Sequence, residues 1–233
     1  MSEKKRWIIV AVYAAAMAWV EAAVVFYLRV MIDRVVPYHP NPLPNSVGLG
    51  QTEIVREIAT LLMLLAVGML AGKTRRSRLA YSITAFGIWD IFYYLFLIPI
   101  SGWPRSLFDW DILFLVPLPW WGPVLAPISI AGLMIVGGSL VIYFERSQKA
   151  IWPGRLAWYL NLLGISVALY VFMADALRTA LINIEMIRSV LPTWFNWPLF
   201  VLALTLMAAP IFDMLMQHWE SVSVEKFVRQ VQR

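Results

Sequence analysis

The sequence predicts an all-α protein, a polytopic integral membrane bundle of six transmembrane helices. Both termini are expected in the cytoplasm, and a short Pro-rich interfacial or re-entrant element precedes the fourth helix. Three observations lead there. Hydrophobic residues make up 61% of the 233 and charged residues 14%, against about 45–50% and about 25% in soluble domains. The apolar residues gather in runs near the ~20 needed to cross ~30 Å of hydrocarbon. All five lysines stand on one side of the resulting alternation.

The runs cover roughly 7–31, 53–72, 79–101, 123–144, 156–180 and 196–216, which leaves no room for a separate soluble domain. The side carrying Lys4–Arg6, Lys73–Arg78, Arg146–Arg155 and Lys226–Arg233 has thirteen basic residues. The opposite side has six, all arginine: Arg29, Arg34, Arg56, Arg105, Arg178 and Arg188. That asymmetry predicts cytoplasmic termini in a multi-pass cell membrane protein, the inner membrane if the cell is bacterial. The net charge of +5 is then a topology signal. No basic stripe with stacking aromatics is present, so nucleic acid is not an expected partner.

The first run begins after Lys4-Lys5-Arg6 and could be read as a signal peptide cleaved near Ala16-Met17-Ala18. It continues to about Val30, longer than an h-region, which predicts an uncleaved first helix with Glu21 in its outer half. Ala14, Ala18 and Ala22 form a small-residue stripe suited to close helix packing, within the chain or against a second copy or partner subunit. The loop from His39 to Asn45 is turn-rich and too proline-rich for a helix. The second helix places Glu53, Arg56 and Glu57 on neighbouring positions. The third carries Trp89-Asp90 near mid-membrane, with Tyr93 and Tyr94 one turn beyond.

Between Trp103 and Pro127, Asp109 and Asp111 open an apolar stretch interrupted by Pro117, Pro119, Pro123 and Pro127. Four prolines so close together forbid a continuous helix, so residues 107–120 are expected to be the interfacial or re-entrant element. The fifth helix ends with Asp175 and Arg178 in its outermost turns. The sixth is kinked by Pro210 and leads to a weakly amphipathic cytoplasmic tail over 217–233. Ten of the twelve tryptophans fall at span ends, where indole rings anchor at headgroups. Trp19 and Trp89 do not, and each neighbours an intramembrane carboxylate in sequence.

The residue types narrow the chemistry. Without cysteine there is no disulfide, thiolate nucleophile or cysteine-ligated iron–sulfur cluster. His39 and His218 are the only histidines and lie outside the membrane core, so haem is not expected, nor any other cofactor. A divalent cation is the one such group the side chains admit, with Glu21, Glu57 and Asp90 as its ligands, since oxygen donors favour Mg²⁺, Ca²⁺ or Mn²⁺.

Intramembrane charges are costly, about 2.5–3.5 kcal/mol each on insertion scales, so they need a counter-charge or a purpose. At ~1.5 Å per residue, Glu21 lies ~21 Å from the inner edge and Glu57 ~6 Å below the outer edge. Glu21, Glu57 and Asp90 are expected to converge in a site with Tyr94, Asp111, Asp175 and Arg178 around it. Structural pairing competes with this: Asp175 with Arg178, and Glu57 with Arg56, Arg29 or Arg105. The leading functional expectation is an outward-opening, carboxylate-lined site that binds or transports a small solute or cation. The alternatives are an embedded enzyme acting on a lipid or lipid-linked substrate through the same acids, and an accessory membrane subunit.

Overall fold

A computed structural model describes residues 2–38, 47–114, 118–146, 151–182 and 191–231. The chain is mostly helical: α1 (Glu3–Met31), α2 (Val47–Ala71), α3 (Arg75–Ser101), α4 (Leu125–Arg146), α5 (Arg155–Ile182), α6 (Trp197–Met207) and α7 (Ala209–Val231). Six stretches are long and apolar enough to cross a membrane, with α6 and α7 together forming the sixth, Trp197–Ser223. Their outward faces carry bare apolar side chains such as Leu70, Tyr159 and Phe212. So much exposed hydrocarbon on every span is expected of a lipid-facing surface and not of a soluble one.

Helix α3 is the hub and packs against α1, α2 and α4. Small residues allow the close approach. Ala14, Ala18 and Ala22 of α1 are fully buried, packed with Tyr81, Ala85, Ile88 and Trp89 lower down and with Tyr94, Leu97 and Trp103 higher up. The alanine stripe thus packs within the chain, one of the uses its small residues suit. On the opposite flank, a Cβ on Gly138 would lie 2.7 Å from the Ala80 carbonyl, and one on Gly87 2.6 Å from that of Ala131. Only glycine lets α3 and α4 come this close. The next residue, Ser139, accepts a 3.2 Å hydrogen bond from the Trp7 indole of α1.

A second group, α5 with α6 and α7, meets the first through α4 and the loop before it. Its sixth span is broken at Ala208, as a proline two positions on requires: Pro210 has no N–H to return to Leu206. Asn161 of α5 donates a 2.7 Å bond to the Met207 carbonyl, so a backbone acceptor at the break has a partner. Helix α7 then runs without a break past Gln217 to Val231. The tail is a continuation of the last helix, not the separate element expected from 217. Other ends also move: α2 starts at Val47 and α3 at Arg75, where Thr74 and Ser77 form a reciprocal cap. Polar capping residues outside an apolar run are invisible to hydropathy.

The all-α expectation needs one correction. Residues Trp110–Phe114 (β1) and Trp120–Pro123 (β2) form an antiparallel hairpin, pairing Trp110 with Pro123 and Asp111 with Gly122, with a bulge between Ile112 and Phe114. The prolines that bar a helix leave extended backbone as the alternative, and alternating aromatic and aliphatic side chains suit it. At Gly122 a Cβ would come within 2.7 Å of the Phe172 ring, so the bare backbone lets β2 lie against α5. The expected loop 39–45 and Pro117 fall outside the described residues.

Candidate functional site

One cavity of about 1120 Å³ runs through the bundle between the two helix groups. Its lining includes Glu21, Glu57, Asp90, Tyr94 and Asp111 of the sequence-predicted set, together with Arg29, Glu53, Arg56, Thr60 and Tyr93. Asp175 and Arg178 are not among the lining residues. They form their own i,i+3 pair at 3.6 Å, with Arg178 65% exposed, and Asp175 also accepts from the Thr193 amide at 3.0 Å. Those two residues therefore lie apart from the cavity, in the paired arrangement that was the competing expectation.

The charged lining divides into two clusters. In the first, Arg56 of α2 is held by Glu53 one turn earlier and by Glu21 of α1. Thr60, one turn further along α2, donates a 3.1 Å bond to the other Glu21 oxygen. The spacing of Glu53, Arg56 and Thr60 places all three on one helix face. Glu21 is thus a clamp partner on Arg56 and Thr60, and the expected Glu57–Arg56 hydrogen-bonded pair does not form.

In the second cluster, Arg29 near the end of α1 donates a 2.8 Å bond to Asp111 of β1 and a 3.3 Å bond to the Tyr93 hydroxyl of α3. The guanidinium lies 4.5 Å above the Trp103 ring. Asp111 is 1% exposed, and its carboxylate also accepts, at 2.9 Å, the Ile112 amide. A buried carboxylate needs such a set of partners to remain tolerable. Hydropathy gave no hint of this arrangement: Arg29 and Asp111 are 82 residues apart.

Two lining carboxylates stand outside these clamps. Among the described residues neither Glu57 nor Asp90 accepts a hydrogen bond or forms an ion pair. Their surroundings differ: Glu57 feels Glu53, Arg56 and Glu21, whereas the charged neighbour of Asp90 is Asp111. Glu21, Glu57 and Asp90 therefore share a cavity without forming one triad. Among the described residues no group of three or more Asp, Glu, His or Cys side chains is arranged to hold a metal ion. The reason is geometric: Arg56 stands among the acids of α1 and α2, and Asp90 belongs to the other cluster.

Aromatic faces accompany the second cluster. Trp89 stacks on Tyr93 at 6.3 Å with 25° between the planes, and Tyr93 meets Tyr94 edge-on at 4.9 Å. At this end of the cavity five carboxylates (Glu21, Glu53, Glu57, Asp90 and Asp111) face three arginines (Arg29, Arg34 and Arg56). No protein-family model, curated protein or solved structure matches the chain. The chemistry of the cavity is what remains to be read.

Proposed function

We propose that the protein binds an organic cation at an outward-opening intramembrane site, as a solute-binding or transport protein. The observation that carries this reading is the unbalanced charge of the cavity. With Arg56 and Arg29 engaged by Glu53, Glu21 and Asp111, the carboxylates of Glu57 and Asp90 face the cavity without an ion pair of their own. An uncompensated carboxylate in an apolar bundle is costly, and a cationic ligand relieves that cost. Stacked Trp89 and Tyr93 add aromatic faces, which attract alkylated ammonium groups. The split between Glu57 and Asp90 argues against their acting as a proton-transfer pair, so the enzyme alternative has less support.

The thirteen-to-six division of basic residues supports cytoplasmic termini and a cell-membrane location, inner in a bacterium. On that orientation the hairpin is the expected interfacial or re-entrant element, and the clamped end of the cavity faces outward. Irregular backbone at membrane depth must be buried in protein or line a cavity, and Asp111, Ile112 and Trp120 do line one. Reporter fusions after Arg76, Arg146 and Arg233 should score as cytoplasmic and fusions near Asn45, Arg105 and Ile187 as external. A cytoplasmic score at Asn45 overturns the orientation.

Binding is tested on the purified protein in nanodiscs with tetramethylammonium and choline. Saturable binding is expected, weakened at least tenfold in both Glu57→Gln and Asp90→Asn while thermal stability is not lowered. Wild-type protein that binds neither cation, or variants that bind as well as wild type, would sink the reading.

A further inference from the structure

The cavity is larger than an ammonium group requires. Its volume of about 1120 Å³ exceeds the ~300–1,000 Å³ usual for small-molecule sites. Along α3 the lining runs from Arg76 to Tyr94, about 27 Å of helix at ~1.5 Å per residue. That is longer than the ~15 Å depth of one leaflet in a ~30 Å hydrocarbon core.

The lining is also segregated. Clamps, free carboxylates and tyrosines occupy the end nearest the hairpin. Beyond Asp90 the walls are apolar, with Ile83 and Phe86 of α3, Ile130 and Met134 of α4 and Ile165 and Leu169 of α5, save for Asn161 of α5, whose amide is tied to the Met207 carbonyl. The next charged lining residue is Arg76 at the opposite end, stacked 4.6 Å from the Trp152 ring. Water in such a reach would find few polar partners, whereas an alkyl chain would match its walls.

We infer that the ligand is an amphiphile, a cationic head at the Glu57 and Asp90 end carrying a hydrocarbon tail along the apolar reach toward Arg76. The head rests on the organic-cation reading above; the tail rests separately on the length and segregation of the cavity. Charge complementarity fixes the direction of insertion, because the head is drawn to the end with surplus carboxylates and repelled by Arg76. Each methylene moved from water onto these walls adds affinity.

The test compares tetramethylammonium, butyltrimethylammonium and octyltrimethylammonium on the full chain in nanodiscs, with binding to empty nanodiscs subtracted. Affinity should rise at least tenfold from the methyl to the octyl compound. Ile165→Trp and Leu169→Trp fill the reach from the α5 side, and in each the ratio of octyl to methyl affinity should fall below threefold. An octyl analogue with a photoreactive terminus should label α4 and α5 of the wild-type protein near Met134 and Ile165, a readout independent of either variant. Binding of the methyl compound without a chain-length gain overturns the amphiphile and leaves the organic-cation reading standing. A gain that persists in both tryptophan variants, with label confined to lipid-facing residues, reports partition into the bilayer and also overturns it. If no member of the series binds, both readings fall together.

Discussion

Two kinds of carboxylate line the same cavity. Asp111 and Glu21 are each held by an arginine from another segment, and these pairs fasten the hairpin to α1 and α1 to α2. Glu57 and Asp90 face the same space and fasten nothing. The difference teaches that membrane depth does not sort paired from unpaired acids. Glu21 and Glu57 are expected at similar levels in the bilayer, yet one completes a clamp and the other forms no ion pair. What separates them is the direction in which a neighbouring arginine reaches.

The comparison breaks most visibly at Asp111. Replacing it with alanine strands Arg29 among Trp103, Tyr93 and Tyr94, and loss of one partner from a buried pair costs about 3–5 kcal/mol. Denaturant unfolding of the purified protein should report that loss, and the double variant Arg29→Met with Asp111→Leu should recover most of it. A single variant as stable as wild type would mean that the clamp does not secure the hairpin.

Gly138→Leu is a control outside both clamps. A side chain there collides with the Ala80 carbonyl, and overpacking of this kind costs about 1–3 kcal/mol. The same unfolding assay should place it below Asp111→Ala; a neutral result would show that α3 and α4 can separate freely.

Glu21→Gln should cost less, about 1 kcal/mol, because Arg56 keeps Glu53 and the amide can still accept from Thr60. It should weaken cation binding less than the changes at Glu57 and Asp90 do. If it abolishes binding without touching stability, Glu21 belongs with the free acids and the division fails. Glu57→Gln and Asp90→Asn should not destabilise the ligand-free protein, since no hydrogen bond or ion pair is lost and an uncompensated charge is removed. A multi-kcal loss in either would mark it as a hidden structural partner. Arg178→Ala should be the mildest, at most about 0.5 kcal/mol, because its pair with Asp175 is exposed; a larger effect in the same assay would show that the pair fastens the end of α5 despite its exposure.

Much of this was legible in the chain. The six spans follow from composition and run length, since a segment of ~20 apolar residues has few stable places other than a bilayer. The break near Pro210 and the non-helical stretch around Pro119 and Pro123 follow from a missing N–H and a fixed φ, which are local properties. Glu53, Arg56 and Thr60 could be placed on one face by helical spacing alone.

The partners of those residues could not be read in the same way. That Arg29 meets Asp111, that Glu21 takes Arg56 while Glu57 does not, and that the alanine stripe packs on α3 depend on how each helix is rotated and which neighbour it meets. Sequence spacing carries no information about rotation between separate helices, because contacts such as Arg29–Asp111 join residues 82 positions apart. Hydrophobicity determined that these segments enter a membrane. Tertiary packing alone decided which acids were neutralised there and which were left facing a cavity, because a counter-ion acts over a few ångströms and only the folded chain sets those distances.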